Sequence, residues 1–319
     1  MSNEIEYGNP IWKTDPDAAK QEALRRIERA KATDWDGQPP TLWFHDLNAL
    51  EELPKELAEI PFLERLLFYT DEKGKRKLRG QHNLADCSAV HELRELRILE
   101  LWETRISDLS PLAPLSKLTE LYLCGARISD LSALSGLNHL KALNVSITAV
   151  DDLAPLSSMT NLTDLYVSRT AVVDLAPLSK LNKLTTLFAN HTGIENVSAL
   201  SKMSKLTTLN INGTAVGDLS PLSGLEELTD LDVSNSAVSN LRPLADLPSL
   251  SILDVSATRV DDISVLLRLP VFVSGKAKSL SFSETLVASS SVDPQMKVLA
   301  GLTGKRCADE TVRHLKRMM

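Results

Sequence analysis

A pair of apolar residues two positions apart recurs every 22 residues through the middle of this chain. The pairs are Leu99/Leu101, Leu121/Leu123, Leu143/Val145, Leu165/Val167, Leu187/Ala189, Leu209/Ile211, Leu231/Val233 and Leu253/Val255. Eight matches without an insertion exclude coincidence, and they exclude an ordinary globule as well. A unit this short cannot bury its own apolar side; stacked units bury it against one another, so the chain is read as a solenoid.

Each unit can be followed position by position. Leu99 and Leu101 flank Glu100, which describes a short strand with two side chains inward and one outward. Three residues later stands Thr104, repeated as Thr148, Thr170, Thr192, Thr214, Thr258 and Thr285, with Ala126 and Ser236 as departures. A hydroxyl there is expected to satisfy backbone groups as the chain turns. A column of Asp108, Asp130, Asp152, Asp174, Asp218 and Asp262, completed by Asn196 and Asn240, follows. It is read as an N-cap position, because Pro111, Pro155, Pro177, Pro221 and Pro243 come three residues on. The outer edge of each unit is therefore expected to be a short helical or 3-10 turn. Stacked Asp could also suggest calcium, but calcium needs oxygens converging at one point. Each Asp here precedes a Leu or, after Asp262, an Ile, and then a helical turn, so capping accounts for the column and no metal is expected.

The period continues less regularly at both ends. Asp86, Val90, Leu93 and Leu96 match Asp108, Leu112, Leu115 and Leu118 as half a repeat. Leu42/Phe44 and Leu66/Phe68 read as two earlier strands with LPKEL at 53–57 between them. LSFSET at 280–285 mirrors LDVSAT at 253–258, which places a last strand 27 residues on. Eleven strands are predicted. Aromatics make up only 4% of the chain, so the interior has to be aliphatic, about seven positions per unit as in Leu99, Leu101, Ile106, Leu109, Leu112, Leu115 and Leu118.

The 22-residue unit, with Thr before Ile or Val and then Asp-Leu-x-Pro-Leu, resembles the repeats of internalins and related bacterial leucine-rich-repeat proteins over roughly residues 84–270. The resemblance implies an α/β fold class: a right-handed leucine-rich-repeat solenoid with a curved parallel sheet, short helical or 3-10 turns on the convex side, and helical N- and C-terminal caps. At the front, EALRRIERAKATDWDGQPPTLWFHDL and ELPKELAEIPFLERL, within residues 22–66, resemble the opening of the repeats that precede the GTPase of bacterial Roco proteins. No G-x-x-x-x-G-K-[ST] loop occurs in the sequence, so the GTPase module itself is absent.

Three regions are expected: an N-terminal helical cap over 1–41, the solenoid over 42–287, and a C-terminal helical cap over 288–319. In the first cap, residues 14–32 carry a capping Thr or Asp, Pro16 in the first turn, and Ala19, Leu24, Ile27 and Ala30 along one face. In the second, Met296, Leu299, Leu302, Val312, Leu315 and Met318 are candidates to close the far end. A basic insertion over 71–83, with its charges at 73–79, reads as a solvated loop.

The net charge is −7, distributed as −3 over residues 1–80, −8 over 81–270 and +4 over 271–319. An acidic body repels phosphate backbones, so nucleic acid is not an expected partner. No run of eighteen apolar residues exists, so no membrane span is expected. Cys87, Cys124 and Cys307 are an odd number set far apart, which fits a reducing compartment. Internalins resemble adhesins in being secreted and surface-attached, whereas this sequence shows neither a signal peptide nor a sorting signal. The expected location is cytoplasmic, with export independent of a signal peptide as the alternative.

Catalytic patterns are missing from the sequence. The six His show no metal spacing, and no cofactor is expected. Cys307-Ala308-Asp309 is similar to the Cys-x-Asp motif of the ubiquitin-ligase domain in some bacterial repeat effectors, and it supplies the alternative of a ligase or hydrolase acting through Cys307. A passive scaffold is a further alternative. The leading expectation is a monomeric, non-enzymatic module that binds a protein on the concave strand face. Its outward positions are Glu100, Tyr122, Asn144, Tyr166, Phe188, Asn210, Asp232 and Asp254, with Trp102 beside them. Leucines fill the interior, so these aromatics are not needed for packing, and exposed aromatics are what interfaces use as anchors.

Overall fold

A computed structural model describes residues 10–68, 82–288 and 293–318. Of the basic insertion over 71–83, residues 71–81, with the charges at 73–79, lie outside them. The chain divides into two compact units, Met1–Val150 and Asp151–Met319.

The first unit holds five short strands: β1 (Thr41–Trp43), β2 (Arg65–Leu67), β3 (Ile98–Glu100), β4 (Glu120–Tyr122) and β5 (Ala142–Asn144). Each pairs in parallel with the next, through Leu42↔Leu66, Leu66↔Leu99, Leu99↔Leu121 and Leu121↔Leu143. The second unit holds β6 (Asp164–Tyr166), β7 (Thr186–Phe188), β8 (Thr208–Asn210), β9 (Asp230–Asp232), β10 (Ile252–Asp254) and β11 (Ser279–Ser281). It continues the parallel pattern through Leu165↔Leu187, Leu187↔Leu209, Leu209↔Leu231, Leu231↔Leu253 and Leu253↔Leu280. The eleven strands are those the periodicity predicts, including the longer step to β11.

The inward set is as read from the repeat: Leu99, Leu101, Ile106, Leu112, Leu115 and Leu118 are fully buried and Leu109 is 3% exposed. Strand pairing and leucine stacking are therefore one event, because a coil that slipped by one residue would turn its leucines to solvent. The threonine column turns the chain. Thr104, Thr148, Thr170, Thr192, Thr214, Thr258 and Thr285 each donate a hydroxyl hydrogen bond to the carbonyl three residues back, on Leu101, Val145, Val167, Ala189, Ile211, Val255 and Phe282. Ser236 does the same to Val233.

Between hydroxyl and strand lies a feature that the sequence conceals. The residue before each position of the Thr column, Ala126 and Ser236 included, takes a left-handed backbone, from Glu103 (φ 52°) through Gly125, Ile147, Arg169, His191, Gly213, Asn235 and Ala257 to Glu284 (φ 58°). Only two of these nine are glycine. Glycine is the usual residue for this conformation, so its rarity hides the requirement. Ile147 is the most costly occupant, being β-branched and 58% exposed.

The aspartate column departs from the expected geometry by one position. The 3-10 turns start at Ser110, Ser132, Ala154, Ala176 and Ser220, and their N-caps are Leu109, Leu131, Leu153, Leu175 and Leu219. Asp108 stands before the cap and accepts from the Ser110 N–H at 2.8 Å and from the Ser110 hydroxyl at 2.8 Å. Asp130 and Asp218 repeat this with Ser132 and Ser220. The leucine has to occupy the cap because its side chain is needed inside, and the carboxylate reaches past it.

At the N-terminal end, α1 (Pro16–Ala32) is capped by Asp15, which accepts from the N–H groups of Asp17 and Ala18. Its buried face differs from the expected one. Ala19, Ala23, Ile27 and Ala30 are inside, Leu24 is only half-buried, and Glu22 and Arg26 are buried among the alanines. Arg26 grips Glu22 (2.9 Å) and both carboxylate oxygens of Asp46 (2.8 and 3.1 Å), donates to the Trp43 carbonyl (2.6 Å), and lies 5.3 Å from the centre of the Trp12 ring. Ala-rich helix faces are too shallow to fill the end of a coil, and the arginine supplies the missing volume.

At the other end stand α2 (Pro270–Val273), α3 (Pro294–Ala300) and α4 (Gly304–Met318). Met296, Leu299 and Val312 are buried as expected, Leu302 and Leu315 are half-buried, and Met318 is 66% exposed. Met318 sits on the last turn of α4, beyond the surface it covers; Cys307, Ala308 and Thr311 form its buried side. Asp293 caps α3 and pairs with His314 of α4 at 2.8 Å.

Candidate partner-binding face

The outward strand positions are set by the alternation, since every inward leucine leaves its neighbour on the opposite face. What stands there differs between the two units.

In the first unit, Trp102 and Tyr122 stack with centroids 5.8 Å apart and planes 15° apart, and both rings are half-buried. Tyr122 also donates its hydroxyl to Glu120 at 2.9 Å. Glu100 and Asn144 are the cross-strand partners of Tyr122, and both are covered, each 8% exposed. They were expected to be open because they point outward. Tyr122 stands between them in the cross-strand register. Asn144 turns its amide oxygen to the Ser146 N–H instead. Of the expected contact residues in this unit, the aromatics are accessible and the two polar ones are not.

In the second unit, Tyr166 and Phe188 stack with centroids 5.3 Å apart and planes 26° apart, again half-exposed. The row continues in register through Asn210, Asp232 and Asp254, all half-exposed. Asn210 donates to Asp232 at 3.0 Å, Asp232 accepts from the Ser234 N–H and hydroxyl, and Asp254 accepts from the Ser256 N–H. A parallel row carries Ser168 against Asn190 and Asn212 against Ser234. These side chains are fixed by their neighbours before any ligand arrives.

The three thiols are covered to different degrees. Cys307 is fully buried and donates toward the Leu299 carbonyl at 3.4 Å, and burial pushes its thiol up to about 11. Cys87 is buried and pushed up to about 12, and half-buried Cys124 to about 11, in both cases chiefly by desolvation. A nucleophilic cysteine needs an accessible thiolate, and burial disfavours the thiolate at all three. His91 and His191 are exposed at turns. Among the described residues no group of three or more His, Cys, Asp or Glu is arranged to hold a metal, and no helix is long and apolar enough to cross a membrane.

Residues 75–292 match the family model described as leucine-rich repeat region. The chain is a leucine-rich-repeat protein. Among solved structures, this leucine-rich-repeat chain is similar to an internalin (inlF) of Listeria monocytogenes, at 29% identity and a TM-score of 0.68, covering 87% of this chain and 85% of that one. A second Listeria internalin (inlC2) matches at 26% identity and a TM-score of 0.55, covering 72% and 90%. A leucine-rich-repeat protein of Leptospira interrogans shares the fold at 16% identity and a TM-score of 0.62, covering 80% and 76%. No curated protein sequence matches the chain significantly. Leucine-rich-repeat domains are commonly protein-interaction modules, and relatives of this kind are typically not enzymes.

Proposed function

We propose that this protein is a non-enzymatic binding module whose concave strand face holds a protein partner through aromatic anchors. The observation that carries this reading is the pair of stacks, Trp102 with Tyr122 and Tyr166 with Phe188. The chain has fourteen aromatic residues, and four of them stand half-exposed on a face whose packing they do not serve. Stacked rings have little side-chain freedom left to lose, which is the property of residues that dominate interface energetics. The helical regions over 1–41 and 288–319 serve as caps that keep the terminal coils from associating, so the module acts as a monomer.

The test is affinity capture from lysate of the source organism with wild type, Tyr166→Ala/Phe188→Ala and Trp102→Ala/Tyr122→Ala. A partner held by wild type should bind at least one double variant more weakly by about 2 kcal/mol or more, the scale of an interface hot spot, while melting temperatures stay close to wild type. Retention of the partner by both variants would move the binding surface off the strand face.

A further inference from the structure

The acidic end of the row in the second unit carries an electrostatic cost that its own fold does not offset. Asp232 and Asp254 are direct cross-strand partners. Like charges placed opposite each other on one sheet face destabilise it. Asp230 precedes them on the edge of the same strand face, and among the described residues no ion pair links any of the three to a lysine or arginine. The hydrogen bonds to Asp232 and Asp254 come from neutral groups, on Asn210, Ser234 and Ser256. A carboxylate has about four acceptor sites, so both keep capacity for an incoming donor.

Resting on the reading above, we infer that the row from Tyr166 to Asp254 is a docking track for a basic protein segment, one that lays an apolar or aromatic side chain on Tyr166 and Phe188 and places a lysine or arginine between Asp232 and Asp254. Charge complementarity selects the occupant: the row Tyr166, Phe188, Asn210, Asp232, Asp254 carries two carboxylates and no lysine or arginine. The spacing selects its length. Phe188 and Asp254 are three strands apart, about 14 Å at ordinary sheet spacing, the reach of a short extended peptide. Asn210, between them, is oriented by Asp232 and offers its remaining amide groups to the peptide backbone. A cation seated between the two aspartates removes their mutual repulsion, so the free protein bears a cost that the complex relieves.

The experiment selects a random peptide display library on the immobilised full chain at low salt, in parallel on wild type, Asp232→Asn/Asp254→Asn and Tyr166→Ala/Phe188→Ala. Wild type should enrich peptides carrying lysine or arginine together with an apolar anchor. Re-synthesised winners should bind the aspartate variant at least about tenfold more weakly and lose their salt dependence. No enrichment on wild type, enrichment of neutral or acidic peptides, or cationic winners that bind the aspartate variant equally well would each overturn the inference. The aromatic variant keeps the two readings apart. Neutral winners lost in the aromatic variant would leave the face as the binding surface and remove only the cationic track. Cationic winners indifferent to the aromatic variant would keep the acidic site and remove the aromatic anchor. In the free protein, Asp254→Asn should raise the melting temperature; an unchanged or lowered value would show that the pair carries no cost for binding to relieve.

Discussion

The N-terminal end and the regular coils of the second unit solve the same problem by different physics. In the second unit the regular coils place aliphatic side chains at matching positions, so each is covered by a near copy of itself, and Leu187, Leu209, Leu231 and Leu253 meet in unbroken register. At the N-terminal end the strand spacing is irregular, and among the described residues the element before β1 is the helix α1, not another coil. There, Arg26 is held between Glu22 and Asp46 with all three side chains 7% exposed or less, and Phe44 and Phe68 meet edge to face at 5.5 Å. A repeat interior can be built from one residue type because its two faces match. A terminus has to match a helix to a coil, and shape differences are made up by large and polar side chains.

The contrast is broken most severely at Arg26. Arg26→Ala should cost about 3–5 kcal/mol, because it strands two buried carboxylates, and Arg26→Lys should fall between it and wild type, since a lysine keeps the charge and loses the two-pronged contact. Chemical denaturation of the three proteins measures this. If Arg26→Ala lost less stability than Leu209→Ala in the regular stack, the end would be held by its apolar contacts after all.

Leu209→Ala, in the regular stack, should cost about 2–5 kcal/mol as a cavity in a close-packed interior, whereas Asn210→Ala on the opposite face of the same strand should change stability little. A reversed ranking in thermal melts would refute the register. Thr214→Val should be milder, about 1 kcal/mol, for loss of the hydroxyl bond to the Ile211 carbonyl. Sharing of that bond among seven threonines makes each one small and the column large, so stacking several Thr→Val changes should give roughly additive losses, except between adjacent coils.

The smallest effect is acid-dependent. Asp108, Asp130 and Asp218 are held below the usual carboxylate range by hydrogen bonds from the serine two residues on, and Asp293 by its bond from His314. A carboxyl whose pKa is lower folded than unfolded contributes stability that is complete above its unfolded value, near 3.8, and is lost as the pH falls through the folded value. Melting temperature should therefore fall below about pH 4, and Asp218→Asn, which keeps the oxygen that accepts from Ser220 and cannot titrate, should make that fall shallower. An unchanged slope would mean that the exposed column carries no pH-dependent stability.

Much of this protein was legible in its sequence because a 22-residue period leaves the chain little choice. Leu99, Leu121 and their successors must lie one above another once their spacing is constant, and that settles strand number, direction, register and which side chains face out. The aromatic positions Trp102, Tyr122, Tyr166 and Phe188 follow from the same arithmetic. What periodicity cannot convey is size. Whether an outward residue is reachable depends on what surrounds it, and only the folded sheet shows Glu100 and Asn144 buried while Asp232 and Asp254 stay half-open. The left-handed turn escaped for a related reason: the geometry is imposed by stacked coils on whatever residue stands there, Ile147 included, so no residue type marks it. The Arg26 cluster did leave a trace, since Glu22 and Arg26 are one helical turn apart, but a pair at that spacing belongs equally to an exposed helix face. Its burial was decided by Asp46, brought against the helix by the fold, because a charge is buried only where the chain returns with the opposite one.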